Sequence, residues 1–180
     1  MNIDKNYWET HNLDSIPPHF LNRINDIKVC QIIETNLVKM FDINKDFLEM
    51  AKESSSLFFI ATYVHPCFPS IISEFVEKNV NISVVMNKDL FQICKDEWYD
   101  ELKQFIISGM AKFYLYQEPI GFLSLALSDN CFVLKLFSKK NEYSYNQIFC
   151  CNPKACQWAK DLFEYYLENS TLISETWINP

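Results

Sequence analysis

The chain has 180 residues, 49% of them hydrophobic and 16% aromatic, and carries a net charge of −7. That length suits one domain, or one domain with an appended arm, and lets roughly 70% of the unfolded surface be buried, so folding needs neither disulfide nor metal. With a pI of about 5.0 the chain repels a phosphate backbone and is by itself a poor nucleic-acid binder. Only two glycines occur, Gly109 and Gly121. No G-x-G-x-x-G, no G-x-x-x-x-G-K-[ST] and no G-x-S-x-G can therefore be written, and the common nucleotide-binding and α/β-hydrolase readings fall away. Seven scattered cysteines and a polar N-terminus without a secretory signal point to free thiols in a reducing cytoplasm. The uncharged stretch from Ser54 to Ser73 holds two prolines and several hydroxyls, so it reads as buried strand, turn and helix start rather than a membrane span.

In chain order, residues 1–25 read as an N-terminal arm and short helix, and residues 26–180 as a single α/β domain. Trp8 to Leu13 is expected to be irregular. Ile16-Pro17-Pro18 opens a short helix near His19 to Ile24, because proline is tolerated in a first turn. Val29 to Ile33 reads as a strand, and Asn44 to Ser54 as a helix with Phe47, Leu48 and Ala51 inward. The apolar run from Leu57 to Tyr63, the break at Val64 to Pro69, the helical spacing of Ile71, Ile72, Phe75 and Val76, and the run from Asn81 to Met86 make a βαβ unit. Its strands should be parallel, with Asn79 as a left-handed stop. Asn87 can cap a helix from Lys88 to Cys94. Lys95 to Lys103 reads as a solvated helical turn, and Tyr99 to Ser108 as a helix closed by Gly109. Lys112 to Tyr116 is a strand. Phe122 to Leu127 and Cys131 to Phe137 flank the turn Ser128-Asp129-Asn130 as a hairpin. Ile148 to Cys151 is the last strand, and Pro153 starts the strongest helix, running to about Asn169. The result is α/β, with a mixed sheet of about six or seven strands and flanking helices.

Candidate chemistry centres on the carboxyl ends of the parallel strands, where open α/β sheets bind ligands. His65 and Tyr63 lie at one such end, Met86 and Asn87 at its neighbour, and Tyr116 and Glu118 at the next. Together they offer an imidazole, an amide, phenols and an apolar wall, a mix that orients a small, partly apolar ligand. No nucleophile pairs with a base along the sequence, so turnover is not expected. The alternatives are a small hydrolase or phosphodiesterase using His65, and a cytosolic thiol or metal sensor using Cys150, Cys151 and Cys156. No second cysteine or histidine pair has metal-ligand spacing, so neither metal nor cofactor is expected. The long C-terminal helix carries just two basic residues, Lys154 and Lys160, which do not make a recognition helix.

Three segments together resemble a known family: Tyr7-Trp8-Glu9-Thr10-His11 with Ile16-Pro17, Phe58 to Met86 around His65-Pro66, and Asp129 onward to Trp158-Ala-Lys-Asp-Leu-Phe-Glu-Tyr-Tyr166. They look like the middle (effector) domain of the methanogenesis regulatory protein FilR family of archaeal transcription regulators. The resemblance implies a cytoplasmic regulatory domain that senses a small-molecule effector, with a homodimer as a further expectation. In that family a winged helix-turn-helix precedes this domain and contacts DNA. The chain begins almost at the first resembling segment, so DNA contact would pass through a winged helix-turn-helix absent from this chain. A more distant similarity is to phospholipase D-like sheets. Their pattern H-x-K-x₄-D, ended on Asp129, finds Phe122 at the histidine and Ser124 at the lysine, which implies a sensor rather than an enzyme.

Overall fold

Alternation decides the architecture. Along the central strands, successive apolar side chains point to opposite faces, so the sheet needs helices on both sides to cover it. The computed structural model describes residues 5–36, 38–39, 42–140 and 142–178. Among them run α1 (Lys5–Thr10), α2 (Pro18–Leu21), a 3-10 turn at Ile24–Ile27, β1 (Gln31–Glu34), α3 (Lys45–Ala51), β2 (Ser56–Ala61), α4 (Phe68–Glu77), β3 (Asn81–Met86), α5 (Lys88–Glu97) and α6 (Tyr99–Ser108). They continue with β4 (Ala111–Tyr116), β5 (Ser124–Leu127), β6 (Phe132–Lys135), β7 (Asn146–Cys150), α7 (Pro153–Glu168), β8 (Ser170–Leu172) and α8 (Glu175–Ile178). The strands form one sheet in the order β1-β7-β6-β5-β2-β3-β4-β8.

The βαβ unit forms as expected: β2 and β3 are parallel, with Ile60 beside Val85, and β4 lies parallel on β3. Asn79 takes φ 60° where α4 must turn back into β3, and an Asn tolerates that left-handed turn better than a branched residue would. Asn87 accepts the Leu90 amide and caps α5. Gly109 ends α6 at φ 71°. The hairpin β5–β6 is antiparallel, with Ser124 opposite Lys135.

One face is covered by α7. Asn152 caps it by accepting the amides of Lys154 and Ala155, and Pro153 fills the first turn. Trp158, Ala159, Leu162, Phe163 and Tyr166 point into the core, joined by Tyr7, Ile16, Phe20 and Ile27 from the first thirty residues. Trp158 Nε1 donates to the Phe20 carbonyl at 3.1 Å, so a buried indole is satisfied by that segment. The other face packs Phe47, Leu57, Phe75, Leu90, Leu102 and Phe113 under α3 to α6.

Several boundaries differ from the sequence reading. Residues 5–10 are helical, where Trp8 to Leu13 reads as irregular. His11 closes that helix: its ring stacks on Tyr7 at 3.8 Å, Nδ1 meets the Tyr7 carbonyl at 2.8 Å and Nε2 meets Ser144 Oγ at 2.7 Å. These long-range contacts stabilise a turn that local propensity does not reveal. The short helix after the prolines stops at Leu21 and resumes as the 3-10 turn. The charged run from Lys95 to Lys103 is the junction of two helices, broken at Trp98. The eighth strand, β8, pairs antiparallel with Tyr114–Tyr116. Its three residues show no alternation because it is a short edge strand.

Candidate functional site

β6 reads Phe132-Val-Leu-Lys135, and Leu136 and Phe137 follow. A single charge sits inside six otherwise apolar residues. Phe132 and Leu134 face α7, so the period of two sends Lys135 to the opposite face with Val133. There it is buried, with 5% of its surface exposed. Its Nζ donates to the Asp42 carbonyl at 2.9 Å and to the Tyr63 hydroxyl at 3.1 Å. It also lies 5.7 Å from the centre of the Tyr63 ring. Burial pulls the Lys135 ammonium down to about 8, although the nearby Asp42 carboxylate opposes the shift.

The surroundings are assembled from five separate stretches of chain at the carboxyl end of β2. Burial pushes the Tyr63 phenol up to about 12, against a hydrogen bond with Ser124. Asn44 caps α3 with its oxygen and donates its amide nitrogen to Gln147 Oε1 at 3.3 Å. Gln147 is itself buried. His65 Nδ1 accepts the Cys67 amide at 3.1 Å, and its Nε2 faces Asp42 Oδ1 at 3.4 Å. A cavity of about 60 Å³ lies between these groups, walled by Phe47, Phe59 and Phe68.

Of the residues chosen from sequence, the structure brings Tyr63 and His65 to this cavity. Met86 is buried in the sheet beside Ala61 and Leu115. The Asn87 oxygen is engaged by the Leu90 amide at 2.9 Å. Tyr116 lies on the α7 face, its ring 4.9 Å from that of Tyr166, and Glu118 is exposed. Asp42, Ser124, Lys135 and Gln147 are missed by sequence reasoning. Only Lys135 carries a local signal, its charge within an apolar run. The others become neighbours solely through strand pairing.

The geometry constrains the chemistry of His65. A nitrogen that accepts an amide hydrogen carries no proton, so in the neutral ring the proton sits on Nε2, toward Asp42. Neither nitrogen then offers a free lone pair to a substrate, and the pair lacks the open base that nucleophilic or general-base catalysis requires. The three sulfurs of Cys150, Cys151 and Cys156 do not converge on a metal position, and no metal-holding group of His, Cys, Asp or Glu occurs among the described residues.

A larger groove of about 400 Å³ opens at the amino end of β2, between Met50, Asp129, Cys156 and Lys160. Its acidic group is already used: Asp129 accepts from the Ser55 amide at 2.6 Å and the Ser55 hydroxyl at 2.9 Å. The buried Ser128 hydroxyl that also lines it is spent within the hairpin turn, donating to the Cys131 carbonyl at 3.2 Å.

Residues 40–169 match the family described as Methanogenesis regulatory protein FilR1, middle domain. The chain belongs to this family. The curated Methanogenesis regulatory protein FilR1 of Methanothrix harundinacea (strain 6Ac) is 20% identical over 177 residues, which is 94% of this chain and 39% of that protein. The chain thus spans well under half the length of that relative. Among solved structures, the archaeal chromatin protein TrmBL2 superposes with a TM-score of 0.62 at 13% identity, covering 78% of this chain and 52% of that one. Nuc from Salmonella typhimurium, a phospholipase D family member, gives 0.56 at 10% identity over 81% of this chain and 99% of Nuc. Phosphatidylserine synthase from Haemophilus influenzae Rd KW20 gives 0.55 at 9% identity over 81% of this chain and 39% of the synthase.

These neighbours show the fold that this FilR1 middle-domain member adopts. Within it, the positions tested against H-x-K-x₄-D have other uses. Phe122 is core, and Asp129 is tied to Ser55 at the far end of the sheet. Ser124 has no positive charge, yet Lys135 stands directly across from it on the paired strand. The cation beside this position is thus supplied by a different strand. No helix among the described residues is long and apolar enough to cross a membrane.

Proposed function

We propose that this chain is a non-catalytic regulatory domain that binds a small effector at the carboxyl end of β2. The effector would present an anionic or hydroxyl oxygen to Lys135 and Tyr63, and an apolar part to the His65 ring, Phe47, Phe59 and Phe68. The observation that carries this reading is the buried Lys135 ammonium lining a cavity. Burying a charge is costly, and folding alone does not favour a lysine over an apolar residue there. Membership of the FilR1 middle-domain family supports the regulatory role, and the occupied nitrogens of His65 support the absence of turnover. Met86, Asn87, Tyr116 and Glu118 would act only at the outer rim, or through the strands that carry the site. With a charge of −7, contact with DNA would be made by a winged helix-turn-helix outside this sequence, and the effector would bias it. A homodimer in the cytoplasm remains part of the proposal.

Thermal-shift screening of small polar metabolites against the wild type, His65→Ala and Lys135→Met tests the assignment. The expected result is a metabolite that stabilises the wild type and loses that effect in both folded variants. A metabolite that stabilises all three equally would move the site away from this cavity.

A further inference from the structure

Five of the seven cysteines gather where β7 ends and α7 begins, and strand register explains why. Gln31 opposes Phe149 across β1 and β7, so one step outward places Cys30 opposite Cys150. Phe132 opposes Cys150 across β6 and β7, so the next step places Cys131 opposite Cys151. Opposed residues of an antiparallel pair have Cα atoms about 4.5–5.5 Å apart, within the roughly 4.4–6.8 Å that a disulfide spans. All four are free thiols, and within each pair the two sulfurs lie close enough to perturb one another.

The two pairs are chemically unequal. Burial raises Cys131, and burial together with the neighbouring sulfurs pushes Cys151 up to about 11. In the other pair, the neighbouring Cys30 thiol and the backbone amides of Asn152 and Cys151 favour the Cys150 thiolate. These groups outweigh burial and pull Cys150 down to about 7. Cys30 is pushed far up. A cavity of about 200 Å³ lined by Val29, Cys30, Gln31, Cys150 and Asn152 opens onto this pair, ample for a peroxide molecule.

We propose that Cys150 and Cys30 form a peroxide-reactive dithiol, with Cys150 as the attacking sulfur and Cys30 as the resolving one. Cys150 attacks one oxygen of hydrogen peroxide. The O–O bond breaks, the departing hydroxide is protonated to water, and Cys150 becomes a sulfenic acid. Cys30 then attacks that sulfur; the S–S bond forms as the S–O bond breaks, and a second water leaves with the Cys30 proton. Two thiols are oxidised to one disulfide while one peroxide is reduced to two waters. The bridge joins the end of the N-terminal segment to the last residue of β7, just ahead of α7. Arg23 already pairs with Asp161 of that helix at 2.6 Å, and Asp26 with Lys154 at 2.8 Å. This site is separate from the Lys135 cavity, so its failure leaves the effector reading untouched.

The test treats the reduced chain with hydrogen peroxide at neutral pH, alkylates the remaining thiols and maps peptides without reductant. The expected product is a Cys30–Cys150 link, with fragmentation assigning the bond to Cys150 rather than Cys151. In Cys30→Ala the resolving thiol is gone, and dimedone labels Cys150 instead. In the wild type, which requires no variant to fold, the pH profile of Cys150 alkylation has its midpoint near 7. The proposal is overturned if Cys30 and Cys150 both stay alkylatable after Cys67 and Cys151 are consumed. It is equally overturned if the bridge formed is Cys131–Cys151.

Discussion

The two ends of this sheet solve the same problem in different ways. At the amino end of β2, polar groups close turns and cap a helix. Ser128 Oγ accepts from Asn130 and Cys131, Asp129 ties to Ser55, and Asn152 caps α7. Each of these contacts satisfies backbone that would otherwise be left unpaired, so each has a structural explanation. At the carboxyl end, Asp42, Tyr63, Ser124, Lys135 and Gln147 bring a cation, a phenol and an amide together beneath a small cavity. Stability does not call for a cation there. The proposed effector site rests on that contrast, a costly buried charge kept at the end of the parallel strands.

The strongest way to break this contrast is to titrate stability. Lys135 is neutralised near pH 8 in the folded chain but near 10.5 when unfolded. Between those values the unfolded state holds one more proton, so wild-type stability should gain on Lys135→Met as pH rises from about 8 to 10.5. The gain is on the order of 3 kcal/mol. Below pH 8 the variant should match or exceed the wild type, since a buried charge has been replaced by an apolar chain. Urea unfolding of both proteins across this range checks it, and a pH-independent difference would make Lys135 an ordinary structural residue.

A second probe addresses how the carboxyl end is closed. The missing side chain of Gly121 leaves room for Ser15: a Cβ there would clash with Ser15 Cβ and lie 2.9 Å from its Oγ. Tyr166 Oη donates to the Ser15 carbonyl at 3.0 Å, holding that backbone in place. Gly121→Ala should therefore destabilise the fold by about 1–3 kcal/mol, as overpacking does. An unchanged denaturation midpoint would show that the N-terminal segment yields freely.

His65→Ala separates binding from folding at the same end. Its side chain is partly exposed, so stability should move by no more than about 0.5 kcal/mol. Effector affinity should fall by about 1–2 kcal/mol, the worth of the ring surface that the effector covers, and calorimetry with the metabolite identified by thermal shift would read it. A large loss of stability would make the His65–Asp42 contact a structural one.

Asn152→Ala is the control at the amino end. Losing the α7 cap should cost about 1 kcal/mol of stability. The effector response should be unchanged, because Asn152 lies at the opposite end of the sheet from the Lys135 cavity. A variant that lost effector binding at unchanged stability would erase the distinction between the ends.

Most elements are legible in the sequence because their signals are local. The periods of β2, α4 and β3, the asparagines at positions 79, 87 and 152, Gly109 and Pro153 each act within a few residues of themselves. The family resemblance, too, is written in contiguous segments. What local signals could not decide was the joining of distant stretches. Helix α1 depends on His11 reaching Ser144, and β8 depends on the edge of β4. The candidate site shows the division most clearly. Tyr63 and His65 are visible because they follow an apolar strand, whereas Tyr116, chosen by the same rule, faces the other side of the sheet. Ser124 and Lys135 meet only because β5 pairs with β6, and Cys30 meets Cys150 only because β1 pairs with β7. A sequence specifies most of the strands and the alternation of side chains along each. The order and register of those strands depend on burying both faces at once, and that is a property of the whole packed sheet.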